Sequence, residues 1–432
     1  MPEIRKMTSY RWTICALIFF ATTVNYLDRQ VIGILKTTLE SDLNIGEAEY
    51  GYIVTAFQLC YAFGMFIAGR LIDKFGTKIG YGISVILWSI AAMGHALAKG
   101  GLGFGFWRAF LGVSESGNFP AANKIVAEWF PMRERALATG IFNSGTNVGA
   151  IIAPLAVPAI AMAWGWQAAF IITGAIGFIW IIFWFIFYEI PEKQKRISRS
   201  EFEFINSDTD ENEGNTKPVP WLQLLKYRQT WIFFIGKAMT DPIWWFYLFW
   251  IPGWLSEIRG AGLNIRTFGL PLVVIYTSTT VGSIFGGWLS SYMVKKGMSP
   301  FNARKYTMLV FALLVVPIFF AQSHALGTWG AVALISLAAS SHQAWSANIF
   351  TTVSDAFPKR AVSSVTGIGG MAGALTGAFV SVFAGNLLDF YKKAGHVETG
   401  YTVMFTIAAF AYLLAWIIMA VFAPAAKRVV ID

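Results

Sequence analysis

Charge is scarce in this 432-residue chain, where Asp, Glu, Lys and Arg make up 13%. Soluble domains carry about a quarter, so a soluble enzyme is excluded. Cysteine is nearly absent, with two, and histidine occurs four times. Cys15 and Cys60 read as small apolar packing residues, and neither a disulfide nor a metal site is expected from them. The sequence also lacks HExxH, GxSxG, a Cys/His metal set and a phosphate-binding loop. Those absences argue against a membrane-embedded enzyme.

What is abundant is hydrocarbon: 56% of the residues are hydrophobic and the mean hydropathy is +0.56. Apolar stretches of about 20 residues recur, the length a helix needs to cross about 30 Å of lipid. A barrel is unsuited to them, because barrel strands alternate in polarity. The pattern predicts an all-α integral membrane protein with twelve spans at 12–35, 50–70, 79–98, 103–129, 135–163, 166–188, 229–257, 267–294, 304–323, 329–355, 360–390 and 399–424. No cleavable signal peptide is expected, since the first apolar run is too long and contains Asp28. With both termini cytoplasmic, 24 of the 33 Lys and Arg fall on the cytoplasmic side and six on the other. Facing anionic lipid, that excess accounts for the net charge of +9 without nucleic acid as a partner.

The longest polar stretch, 191–228, predicts a cytoplasmic linker between six-span bundles at 1–190 and 229–432. It reads as helical at "SRSEFEFIN" and disordered around "DTDENEGNTK". The two halves repeat. "SESGNFPAANKIVAEWFPMRERALATGI" at 114–141 aligns without a gap on "SHQAWSANIFTTVSDAFPKRAVSSVTGI" at 341–368, an offset of 227 that puts Glu115 against His342. Parallel six-span repeats are an architecture of secondary transporters. Spans 5 and 11 are glycine-rich in the same way, at Gly140, Gly145 and Gly149 and at Gly367, Gly370, Gly373 and Gly377. Those faces predict close helix packing, and more sharply the seam between the halves.

The loop "GRLIDKFGTKIG" after span 2 resembles the signature of the major facilitator superfamily, with Gly69, Asp73, Lys74, Gly76 and Lys78 fitting. The resemblance implies a two-bundle fold of twelve helices and a latch at this loop that holds one conformational state. A weaker echo, "GGWLSSYMVKKG", follows span 8 and lacks the acid of Asp73. "NYLDRQ", "WRAFLGVSESGNFPA" and "EWFPMRERALATGIFNSGTNVGAIIAP" resemble the anion:cation symporter family, and "LIDKFGTKIGYGISVILWS" its hexuronate branch. That resemblance implies import of a sugar-acid anion by proton symport in a bacterial inner membrane. The proton is then the coupling ion, no cofactor is needed and the unit is a monomer.

Six ionisable residues lie within spans: Asp28, Arg29, Arg108, Glu115, Lys237 and Asp241. Such groups are costly in lipid and mark ion pathways or pair with one another. Lys237 and Asp241, four apart on span 7, form a local pair, read chiefly as structural, beside a predicted kink at Pro242. Arg108 and Glu115, two turns apart, share a face of span 4, with Arg108 supporting Glu115 or reaching the cytoplasmic gate. Arg29 is the expected ligand of the substrate carboxylate, because only Arg offers a planar fork. Glu115 is expected to pair with Arg29 in the empty carrier and to take a proton once substrate draws Arg29 away. Asp28, about 100° round the helix from Arg29, faces another wall and carries a second proton or sets the order of events. The family gives the Asp-Arg pair of span 1 and the acid of span 4 these roles.

Sugar hydroxyls need neutral partners, and the candidates are Tyr26, Gln58, Tyr61, Asn143, Thr146, Asn147, His342, Gln343, Trp345 and Asn348. Tyr61 and Trp345 match positions where the family places substrate contacts. At His342 the family often has a small hydroxyl residue. Alternatives to hexuronate symport are an aldonate or aldarate symporter, an anion exchanger or facilitator, and a receptor-like sensor of transporter ancestry.

Overall fold

The computed structural model describes residues 7–43, 45, 47–208, 219–257, 270–422 and 428–431. In chain order the helices are α1 (Tyr10–Ile34), α2 (Lys36–Leu43), α3 (Glu47–Phe75), α4 (Thr77–Gly94), α5 (Gly101–Glu115), α6 (Asn118–Trp129), α7 (Met132–Trp164) and α8 (Trp166–Phe187). After them come α9 (Arg199–Ile205), α10 (Trp221–Leu224), α11 (Arg228–Glu257), α12 (Leu270–Lys295), α13 (Pro300–Val315), α14 (Gly327–Ala356), α15 (Val362–Lys393) and α16 (Val397–Phe422).

Taking α5 and α6 together as span 4, these make twelve crossings on the expected runs. Large apolar side chains such as Ile179, Ile182, Val281 and Val382 face outward, as lipid requires. Eight crossings are apolar enough over 18 residues to span a bilayer on composition alone. The other four are spans 1, 4, 7 and 10. Spans 1, 7 and 10 trade hydropathy for polar groups, and span 4 is divided between helices of 15 and 12 residues, each shorter than that window.

Span 4 is not the single helix expected over 103–129, because it breaks at Ser116 and Gly117. Pro120 has no N–H to continue the ladder. The Ser114 and Ser116 hydroxyls turn back on the carbonyls of Phe110 and Val113, at 2.8 and 2.5 Å. Glu115 is thus the last residue of α5, at the break itself. By contrast, α11 runs uninterrupted through Asp241 and Pro242. The linker helix α9 covers the predicted helical stretch, with Ser198 accepting from the Glu201 N–H. The stretch read as disordered lies outside the described residues.

Glu201 binds the linker to the first span. Its carboxylate accepts from the Thr8 hydroxyl at 2.5 Å, the Tyr10 and Arg11 backbone N–H groups at 3.0 and 3.1 Å, and the Arg11 guanidinium at 3.0 Å. Burial pushes this carboxyl up, but those hydrogen bonds more than reverse it and hold it below the usual range.

The halves meet in a seam at the linker end. Asp73 accepts from the N–H and hydroxyl of Ser364, in the first turn of α15, at 2.7 and 2.6 Å, and from Lys124 at 2.9 Å. An acid at a helix N-terminus satisfies an orphan donor and the helix dipole together. Gly69 lies so close to the Ser363 carbonyl that a methyl there would collide with it. The second half repeats the arrangement. Gly287 abuts the Ala136 carbonyl, and Ser291 accepts from the Leu137 N–H at 3.2 Å. Nearby, Asp355 pairs with Arg304 at 3.2 Å and Arg135 at 3.5 Å, and Arg304 donates to the Met132 carbonyl at 2.6 Å.

The glycine stripes divide their work, which corrects the expectation that they form the seam throughout. Gly140 and Gly367 press on Ser283 and Met65 across the halves. Gly145 and Gly149 pack on α1, and Gly373 and Gly377 on α11, within their own halves. In the loop after α3, Gly76 adopts φ +83°, a turn that glycine makes at least cost. Lys78 pairs with Glu189 at 2.8 Å. Lys74 is exposed and lies against Phe75 of its own helix.

Candidate functional site

Above the seam the polar faces of both halves line a shared cavity. Tyr26, Arg29, Tyr61, Asn143 and Thr146 line it from the first half, and Lys237, Asp241, His342 and Gln343 from the second. The floor is tied across the halves, because the Asn143 amide donates to Gln343 at 2.7 Å and to Ser283 at 3.1 Å.

Arg29 is the cation of the first wall. Its Nη2 and Nε donate to one oxygen of Glu115, Oε2, at 2.9 and 3.1 Å. Three rings surround the guanidinium: Tyr26 and Tyr61 at 4.6 Å from its carbon and Phe57 at 5.0 Å. This box holds the plane of the fork and lets it stay charged with little water. Glu115 is fully buried. Its other oxygen, Oε1, accepts no hydrogen bond among the described residues.

Arg108 is also buried, and it reaches the Arg29 backbone carbonyl at 3.2 Å rather than the seam. It braces the turn that carries Arg29. Asp28 looks away from the cavity toward Thr173 of α8. It is 2% exposed, with the Thr173 hydroxyl as the neutral donor its carboxylate faces. A buried acid with no cation paired to it calls for an explanation beyond packing.

On the opposite wall Lys237 and Asp241 pair at 2.7 Å. Spacing on α11 foretold the pair, but its exposure to the cavity was not legible. His342 stands where the repeat puts Glu115. Its ring stacks on Trp244, with centroids 5.0 Å apart, and its Nδ1 lies 2.5 Å from the Tyr412 hydroxyl.

Asn147 and Trp345, named among the substrate contacts, do not line the cavity. Asn147 is 1% exposed, and the fully buried Trp345 ring packs edge-on against Tyr412. The residues that sequence reasoning passed over include Met65, Phe119, Ser346 and Phe350. Ser346 could have been found, as it lies one turn beyond His342 on α14.

The sequence matches the Major Facilitator Superfamily over residues 18–381. The chain belongs to that superfamily. It is therefore a membrane transporter and not an enzyme. The superfamily fold is evident in a comparison with the proton:xylose symporter XylE, at a TM-score of 0.76 over 97% of each chain and 15% identity. Two sequence relatives are nearer. The hexuronate transporter of Escherichia coli (strain K12) is 32% identical over 89% of each chain. The galacturonate transporter of Dickeya chrysanthemi is 33% identical over 72% of this chain and 90% of its own.

Proposed function

We propose that this transporter imports a hexuronate, such as galacturonate or glucuronate, together with protons. The observation that carries the reading is the boxed Arg29–Glu115 pair at the wall of a cavity shared by both halves. A substrate carboxylate competes with Glu115 for the guanidinium fork. When it wins, Glu115 is left buried without its cation, and a proton on that acid relieves the uncompensated charge. Anion and proton then cross together. Asp28 holds a second proton on the α8 side, and Arg108 fixes the backbone between the two sites. Tyr26, Tyr61, Thr146 and His342 supply neutral partners for hydroxyls. Breaking the seam at Asp73 and opening the cavity toward the linker releases the cargo by alternating access.

The excess of Lys and Arg at the linker end supports a bacterial inner-membrane protein with both termini in the cytoplasm. One chain encloses the whole cavity, which supports a functional monomer. The test is uptake of labelled galacturonate into proteoliposomes. Accumulation should follow an inward proton gradient and collapse with a protonophore. Equal uptake with and without the gradient would overturn the symport reading.

A further inference from the structure

A second cavity opens at the linker end of the second half, between α11, α13, α14 and α16. Its walls are mainly apolar, and Lys305 is the charged residue among those that line it. The internal repeat accounts for its position. Trp184 of α8 donates its indole N–H to the Lys78 carbonyl at 2.9 Å, and Trp416 of α16 donates to the Lys305 carbonyl at 2.9 Å. These two bonds put the halves in register. At the offset of 227, Lys78 matches Lys305, Tyr81 matches Met308 and Trp129 matches Ala356. Counted from the two tryptophans, Tyr188 matches Ala420 and Glu189 matches Val421.

In the first half this corner is filled. Tyr81, Trp129 and Tyr188 are buried, and Tyr188 stacks on Trp184 with ring centroids 3.9 Å apart. In the second half a methionine and two alanines leave the same corner open, and all three line the cavity. The charge changes with the volume. Lys78 is held by Glu189 at 2.8 Å. Lys305 has Val421 in place of that acid and makes no ion pair among the described residues. Its Nζ stands 5.7 Å from the centre of the Trp416 ring.

Lost packing alone would be a defect in a close-packed interior. Lost packing together with a lost acid makes room for a molecule with an apolar body and an anionic end. Trp416 beside Lys305 is the pairing that sits at headgroup level in a bilayer. Ile417 and Val421, next to Trp416 and Ala420 on α16, are exposed, which turns the mouth of the cavity toward lipid. We propose that this cavity seats one anionic phospholipid, with an acyl chain along Met308, Ala356 and Ala420 and the phosphate on Lys305. The seat is separate from the Arg29 cavity and does not rest on the reading of the substrate. Lys305 follows Arg304, whose guanidinium reaches the Met132 carbonyl across the seam. The lipid therefore lies beside a contact between the halves.

The experiment offers the full chain in detergent equal amounts of phosphatidylglycerol and phosphatidylcholine and reads the bound lipid by native mass spectrometry. The wild type should retain phosphatidylglycerol over phosphatidylcholine about fivefold, the effect of one lysine near a lipid surface. Val421→Glu gives Lys305 the acid that Lys78 has, at an exposed position, and should bring the ratio close to one. Ala420→Tyr fills the corner as Tyr188 does and should release both lipids from the seat. Glycerol phosphate, which has the headgroup charge without the chains, should not compete.

No preference in the wild type overturns the proposal. A preference unchanged in Val421→Glu removes Lys305 as the headgroup ligand, and lipid retained by Ala420→Tyr at the wild-type level removes the chain from the corner. Competition by glycerol phosphate would show a site for a free phosphate ester and not for a lipid. Should Ala420→Tyr fail to fold, Lys305→Gln decides, because it leaves the corner open and takes away only the charge. Its ratio should match that of Val421→Glu, and a wild-type ratio there overturns the seat.

Discussion

Asp73 and Ser291 stand in matching places in the two halves, each four residues beyond a glycine that abuts a carbonyl across the seam. Each accepts an N–H near the start of the helix opposite, Ser364 in the first turn of α15 at 2.7 Å for Asp73 and Leu137 in the second turn of α7 at 3.2 Å for Ser291. The signature loop has no acid in the second half, yet the contact is kept with a neutral acceptor. Hydrogen bonds to charged groups contribute about 1.5–3 kcal/mol and neutral ones about 0.5–1.5 kcal/mol. Asp73→Ala should therefore shift the carrier toward the state open at the linker end by more than tenfold, and Ser291→Ala by less. Spin-label distances between the linker ends of α3 and α15 measure this. Equal shifts would show that the charge on Asp73 adds nothing.

Arg29→Lys keeps the charge and loses the planar fork. Because Nε and Nη2 both engage the acid in the resting state, a substrate carboxylate should need both as well. Galacturonate affinity should drop at least tenfold in calorimetry. Undiminished affinity would remove Arg29 from the role of carboxylate ligand.

Glu115→Gln keeps a hydrogen-bond acceptor for Arg29 but cannot exchange a proton. Gradient-driven accumulation should vanish, while counterflow exchange of galacturonate, which needs no net proton movement, persists. Accumulation at the wild-type level would end the assignment of Glu115 to coupling.

Glu201 predicts a pH-dependent stability. Its folded carboxyl titrates below the ordinary value of 4.5. The contribution is therefore complete above that value and lost as pH falls through the folded one. Glu201→Gln should lower the melting temperature at pH 7, and the difference from wild type should shrink as pH falls below 4.5. A constant difference across that range would mean that packing rather than charge binds the linker.

Hydropathy alone placed the twelve spans, because crossing lipid demands a run length that few other structures need. Facing was harder to read. Thr146 lines the cavity and Asn147, about 100° round the helix, does not. When several faces of a span carry polar groups, periodicity names the helix and leaves its rotation open. The same limit hid the cavity-facing side of Lys237 and Asp241, whose spacing fixed only that they meet. The break after Glu115 needed knowledge that two serine hydroxyls bond back to the helix just before Pro120 removes a donor. Pro242 on α11 shows that a proline by itself does not decide the matter.

Glu115 gives Arg29 only one of its oxygens, and the other accepts no hydrogen bond among the described residues. A carboxylate held in this lopsided way can receive a proton on its idle side before the guanidinium lets go, or after. The order in which proton and anion load is then not imposed by the pair. Whichever is scarcer outside would bind second, and the carrier would run without stalling when either one fluctuates.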